Sequence, residues 1–310
     1  MKVFSTLATA FFFITSMIPG VLNNPSSLKR PEPEMTFNVT EMPLNTPAME
    51  YATCITNGQL IIVTNRKIKN SDGKSNSILN KPTYKLLSFP VIHEEKVGRP
   101  SLLPGVFVGN ESISAATFDN SGTRTYFTRS FGESHKKQQL FTAQKSNFHA
   151  GAWVNEQLIE VGAGTYTIEN PKIDVRGEYL YFASDMPSGY GGLDLYKARI
   201  LASGNLGKPI NLGARINSAR DENHVSFNPA GTMLFFSSDR PGGMGGYDIY
   251  RSKLSNGMAQ LPQSLGNKIN STRDDLAFIP ISEKSGYFSS NRNSLTTNLD
   301  IYYFYGWLDQ

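Results

Sequence analysis

The residues with chemical potential in this chain come in matched sets. Asp194, Asp248 and Asp300 each open a hydrophobic run, and Asp185, Asp239 and Asn291 each close the run before it. A hard cation needs six to eight oxygens from converging groups. One carboxylate per set does not converge, so no metal site is read here. Two charged triplets, Arg220-Asp221-Glu222 and Arg273-Asp274-Asp275, recur as well. They suit either pairing between neighbouring units or contact with a partner, and exposed pairs contribute only ~0–1 kcal/mol each to stability. They are the candidate partner-contact face. The histidines, His93, His135, His149 and His224, lack HExxH or other ligand spacing. Ser237-Ser238 and Ser289-Ser290 lack the Gly-x-Ser-x-Gly elbow of a serine hydrolase. Cys54, the one cysteine, sits among apolar neighbours and reads as a buried, inert thiol. Trp153 and Trp307 suit a core or rim as well as a sugar platform. Catalytic sites are asymmetric, whereas folding devices repeat. On that ground no catalytic residue and no cofactor is assigned, and the chain is expected to be a non-enzyme.

The repetition defines the elements that hold these residues. Tyr179-Leu-Tyr-Phe-Ala-Ser-Asp185 matches Met233-Leu-Phe-Phe-Ser-Ser-Asp239. Pro187, Gly189, Gly191, Gly192, Asp194 and Tyr196 recur as Pro241, Gly243, Gly245, Gly246, Asp248 and Tyr250. A third copy is Gly286-Tyr-Phe-Ser-Ser-Asn291-Arg292 with Asp300-Ile-Tyr302. Weaker copies are Thr125–Ser130 with Leu140-Phe141, and Leu60–Arg66 with Tyr84-Lys-Leu86. The intervening segments repeat too: Leu212–Asp221 matches Leu265–Asp274, and Pro43-Leu-Asn-Thr46 holds the same place before the first copy. The runs are short, aromatic and β-branched, bounded by Gly, Pro, Asn and Asp, as strands are. Each unit therefore reads as four strands: in the best copy 224–228, 233–238, 247–253 and 263–267. Repeating four-stranded units are the mark of a β-propeller, in which stacking buries both faces of each sheet. Five blades are expected, beginning near 51, 112, 168, 223 and 275; six would follow only if residues 88–112 made a blade of their own. The last unit stops after its third strand, so residues 35–45 are expected to supply the fourth and close the ring.

The string Phe236-Ser-Ser-Asp-Arg-Pro-Gly-Gly-Met-Gly-Gly-Tyr-Asp-Ile-Tyr250, with Leu-Gly and Ile-Asn-Ser after it, resembles the WD40-like PD40 repeat of TolB propellers. It is most similar to the propeller region of OmpA-family envelope proteins of Bacteroidetes, among them the PorE-like component of the type IX secretion system. The resemblance covers roughly 44–305. It implies a propeller that works by protein contact in the cell envelope, with Asp185, Asp194, Tyr196, Asp239, Arg240, Asp248, Tyr250, Asn291, Arg292, Asp300 and Tyr302 as repeat-forming residues. A TPR segment and an OmpA-like domain, which accompany the propeller in that family, are not recognised here, so peptidoglycan anchoring is not carried over.

Composition bounds the rest. The chain has 310 residues, 18% charged and 11% aromatic, with 27 Gly and 17 Pro, which excludes a coiled coil, a collagen and a typical disordered chain. A net charge of +4 without a dense basic tract does not indicate nucleic acid. Lys2, the uncharged stretch from Val3 to Ile18 and the Pro19-Gly20 break read as a signal peptide over 1–20. A Pro-, Ser- and Asn-rich linker over 21–34 and a propeller over 35–310 follow, with no membrane span after signal removal. The protein is expected to be periplasmic or outer-membrane-associated, or else secreted, with envelope proteins as partners. A five-bladed glycoside hydrolase and a glycan-binding lectin are the competing readings. The hydrolase requires an unrepeated pair or trio of carboxylates in the central funnel.

Overall fold

The computed structural model describes residues 36–67, 83–109, 111–131, 137–149, 151–162, 166–255 and 258–306. The expected signal peptide and linker, His135 and Trp307 lie outside the described residues. Every named element is a β-strand. Strand β1 (Phe37–Glu41) is followed by blade I, made of β2 (Glu50–Thr56), β3 (Gln59–Thr64), β4 (Lys85–His93) and the short outer pieces β5 (Lys96–Val97) and β6 (Ser101–Leu102). Blade II is β7 (Ser112–Phe118), β8 (Arg124–Phe131), β9 (Lys137–Lys145) and β10 (Trp153–Leu158). Blade III is β11 (Ile168–Ile173), β12 (Tyr179–Ser184), β13 (Asp194–Arg199) and β14 (Ile210–Asn211). Blade IV is β15 (Glu222–Phe227), β16 (Met233–Ser238) and β17 (Asp248–Ser255), edged by β18 (Met258–Ala259) and β19 (Gln263–Ser264). Blade V is β20 (Asp275–Pro280), β21 (Ser285–Ser290) and β22 (Asp300–Gly306), with β1 as its fourth strand.

The fold is a five-bladed β-propeller. The first strands of the blades pack in a closed cycle, β2 against β7, β7 against β11, β11 against β15, β15 against β20 and β20 against β2. Closure runs through β1, which pairs antiparallel with β22 from Phe37↔Gly306 to Glu41↔Tyr302. Residues 88–112 form no sixth blade: β4, β5 and β6 complete blade I, and β7 begins at Ser112. The outer strand of blade IV is shorter than expected, confined to Gln263–Ser264 because only Tyr250 and Arg251 pair with it.

The second strands are the core. All six residues of β16 and all six of β21 are buried, as stacking between two neighbouring sheets demands. Aromatic rings join the blades: Phe235 lies 4.9 Å from Phe278, whose ring stacks at 4.4 Å on Phe304. Each inner strand carries a register shift against its neighbour. In blades III, IV and V a non-glycine residue in the left-handed region sits in that shift: Asn170 (φ 47°), His224 (φ 51°) and Ala277 (φ 52°). Bulges bend a strand and re-aim its side chains, here around the propeller axis.

Candidate functional site

The loops entering each inner strand share one face with the loops joining the second and third strands. Three of the entry loops use one set of ties. Asn45, Asn217 and Asn270 each accept the backbone N–H of the third strand, at Ile301 (2.9 Å), Leu195 (2.8 Å) and Ile249 (2.8 Å), and donate back to the same residue's carbonyl. The next residue, Thr46, Ser218 or Ser271, gives its hydroxyl to Glu50, Glu222 or Asp275. Those carboxylates are fully buried and bind Arg66 (2.6 Å), Arg240 (3.1 Å) and Arg292 (2.6 Å) of the same blade. The guanidinium of Arg240 lies over the rings of Phe236 and Tyr250, and that of Arg292 over Phe288 and Tyr302. In blade III the corresponding Tyr196 hydroxyl donates to the Met186 carbonyl instead.

Glu222 and Asp275 therefore cannot belong to an exposed contact face. The strand alternation turns them inward, and four hydrogen-bond donors saturate Glu222. Asp221 and Asp274 are half-buried and stitch blade to blade: Asp221 accepts from the N–H of Leu193 (2.8 Å) and the Tyr247 hydroxyl (3.3 Å), and Asp274 from the N–H of Tyr247 (3.0 Å). Asp185, Asp239 and Asn291 accept the N–H of Thr167, Asp221 and Asp274. Asp194 and Asp248 are buried and cap the Gly-rich loops, accepting the N–H groups of Tyr190 and Gly191, and of Met244 and Gly245. Asp300 is half-buried at the matching place, and burial beside Glu41 and Glu50 raises its pKa.

On the entry loops of blades IV and V the charges that the ties leave over are of one sign, while Glu41, Glu111 and Glu160 are exposed at the entries to blades I, II and III. Arg215, Arg220, Lys268 and Arg273 are exposed on the entry loops of blades IV and V. Tyr190 (52% exposed), Met244 (44%) and Leu295 (102%) project from the facing loops of blades III, IV and V. Sequence reasoning missed these three tips. Their signal was a large apolar residue in each glycine- or Asn-rich loop, where folding requires none.

The second concentration of polar groups lies on the axis. Glu169, Asn170 and Lys172 of β11 face Asn223, His224 and Ser226 of β15, with Tyr51 and Thr53 of β2 nearby. Asn223 donates to Glu169 (2.9 Å), and Asn170 to Asn223 (2.8 Å) and towards His224 Nε2 (3.4 Å). Burial raises the Glu169 carboxyl's pKa, opposed by the Asn223 bond and reinforced by the charges of Asp221 and Asp185. Burial lowers His224 to about 4, so its imidazole is neutral near pH 7. The Tyr51 ring meets it edge-on at 6.0 Å. Glu169 breaks the repeat: by register its counterparts are Tyr51, Ile113, Asn223 and Leu276. Cys54 is buried, as expected from its neighbours, and Trp153 is a core residue against Phe107 and Phe118. Among the described residues, no helix is long and apolar enough to cross a membrane.

No family model matches the chain, and no curated protein does. Solved structures do match. The Bacteroides ovatus xyloglucan-locus protein GH43B aligns over 86% of this chain and 54% of its own, at 15% identity and a TM-score of 0.50. An α-L-arabinofuranosidase from Lactobacillus brevis aligns over 83% and 89%, at 10% identity and 0.47. A chain described as TolB from Agrobacterium tumefaciens aligns over 84% and 79%, at 12% identity and 0.47. This chain thus spans about half the length of the GH43B chain. At such identities the likeness extends to the fold alone, and one propeller fold hosts both hydrolases and binding proteins.

Proposed function

We propose that the protein is an exported, non-catalytic propeller of the cell envelope that docks a protein partner on its entry-loop face. The observation that carries this reading is the pairing of four exposed cations, Arg215, Arg220, Lys268 and Arg273, with apolar tips at Tyr190, Met244 and Leu295. None of the four cations has a hydrogen-bond or ion-pair partner for its side chain among the described residues, whereas the acidic residues of the same loops are committed to backbone N–H groups or buried ion pairs. A patch of unpaired positive charge on blades IV and V, beside apolar anchors, fits an acidic protein surface with an apolar centre. Export rests on the signal-like start of the sequence, and the envelope setting on the resemblance of the repeat.

A glycosidase requires two carboxylates across the scissile bond, roughly 5–5.5 or 6.5–9.5 Å apart. Among the described residues of the inner strands, Glu169 is the one axial carboxylate outside the repeated ties. Its neighbours Asp185 and Asp221 each accept a backbone N–H in the ties that hold the loops, which supports binding over hydrolysis.

The test is a pull-down of the tagged mature protein from crosslinked envelopes, read by mass spectrometry. It is run beside an Arg220→Glu/Arg273→Glu variant and a Tyr190→Asp/Met244→Asp variant. The expected result is one reproducible set of envelope proteins with the wild type, lost with both variants. Recovery of the same set with both variants, or of nothing above an unrelated propeller, overturns the reading.

A further inference from the structure

Lys172 is the odd residue of the inner ring. Read through the strand registers, its four counterparts are Cys54, Ala116, Ser226 and Ile279, two apolar side chains, a thiol and a hydroxyl. A cation at this level of the axis serves no repeated tie. Its ammonium has no carboxylate and no hydrogen-bond acceptor among the described residues. The titratable group that acts on it is the Cys54 thiol, which burial pushes up to about 12 and so keeps uncharged. His224, on the neighbouring inner strand β15, is neutral as well. Lys172 is half-buried, and a cation only partly reached by water gains from a counter-charge beside it. Water or a small anion meets the ammonium in the space that it faces.

The space for that anion is present. A cavity of about 20 Å³ lies on the axis, lined by Thr53, Asn170, Lys172, His224 and Ser226 among others. That is room for one small ion or one or two waters, and too little for a sugar ring or a peptide. The polar lining leaves little else to satisfy. Thr53 donates to the Ala116 carbonyl, Ser226 to the Phe278 carbonyl, and Asn170 to Asn223. Asn170 also offers its N–H to Nε2 of His224. A neutral imidazole that accepts at Nε2 carries its proton on Nδ1, and that N–H has no partner among the described residues. The cavity wall thus holds two uncommitted donors, one of them cationic, and no uncommitted carboxylate.

We propose that the axial cavity is a binding site for a single halide-sized anion, held by the Lys172 ammonium with the His224 Nδ1–H as second donor. The bound ion neutralises the centre of the ring and ties blade III to blade IV. The site is independent of the docking face, since no residue is common to both.

The test compares thermal unfolding of the full chain in sodium chloride, sodium bromide and sodium gluconate at matched ionic strength, for wild type and Lys172→Met. Gluconate is too large for the cavity. The expected result is a midpoint roughly 3 °C higher in either halide than in gluconate for the wild type. The difference vanishes in Lys172→Met, which itself unfolds no lower than the wild type in gluconate, because an unpaired charge has been replaced by an apolar chain of similar length. Crystals soaked in bromide give an anomalous peak on the axis beside Lys172 in the wild type. Equal midpoints in the three salts, or a halide response that persists in Lys172→Met, or no axial bromide peak, overturns the proposal. The first of these outcomes would mean an amine that is uncharged or met by water alone.

Discussion

At the scale of single residues, the carboxylates divide by what reaches them. Glu50, Glu222 and Asp275 have no access to water, and each is met by an arginine and a hydroxyl. Removing one partner of such a pair typically costs about 3–5 kcal/mol, because the other charge is left buried. Asp221 and Asp274 spend their oxygens on backbone N–H groups of the preceding blade. The titration of His224 bears on stability. Its folded pKa, about 4, lies below the ordinary 6.5 because burial disfavours the charged ring. The unfolded chain therefore binds the proton first. This contribution is complete above about pH 6.5 and is lost as the pH falls towards 4, amounting to at most about 3 kcal/mol. Asn tolerates the left-handed φ of 51° that His224 adopts, and Asn170 holds the matching position in blade III at φ 47°. His224→Asn is expected to flatten the dependence of urea stability on pH between 6.5 and 4, by an amount approaching that figure. An unchanged slope would mean that the ring is protonated in the folded protein.

At the scale of elements, the Gly-rich loops are shaped by close approach. A Cβ on Gly191 would lie 1.9 Å from the Arg220 carbonyl oxygen, and one on Gly245 1.9 Å from that of Arg273. Cβ atoms on Gly189 and Gly243 would strike the Asp194 and Asp248 carboxylates that cap the loops. Gly242 differs: it has open space around it but a φ of +90°. Gly245→Ala is expected to cost more than ~2 kcal/mol in urea unfolding, since backbone on both sides must move, and Gly242→Ala only ~1 kcal/mol of strain. Equal losses would show that conformation, not contact, selects these glycines. Much of this was legible from the sequence, because glycine, Asp and Tyr recur at fixed offsets in units III and IV. The burial of Glu222 and Asp275 was not. Written as Arg-Asp-Glu and Arg-Asp-Asp they read as a loop charge cluster, and only the onset of β15 and β20 at those residues turns their side chains inward.

At the scale of the whole molecule, closure has two parts. β1 completes the last blade, and the seam to blade I is sewn by Asn45 to Ile301, by the N–H of Ala52 to the Ser289 hydroxyl (3.1 Å), and by the Tyr287 hydroxyl to the Glu94 carbonyl (2.6 Å). Blade count and the closing strand followed from counting repeats and noticing the missing fourth strand. The axial groups did not, because Glu169 and Lys172 acquire meaning only once register shows that no other blade carries their like. The two ends of the ring also differ. The face opposite the entry loops exposes Phe148 (94%) and Leu261 (76%), but Arg176, Glu178, Glu95 and Lys96 make its exposed charges mixed, without a one-signed patch like that on the entry loops of blades IV and V. The most direct measurement is photo-crosslinking in intact envelopes from a reactive side chain placed at Met244 or, separately, at Leu261. The account predicts a discrete protein adduct from Met244, abolished by Arg220→Glu/Arg273→Glu, and none from Leu261. An adduct from Leu261 alone, or a Met244 adduct indifferent to both charge reversals, would contradict it.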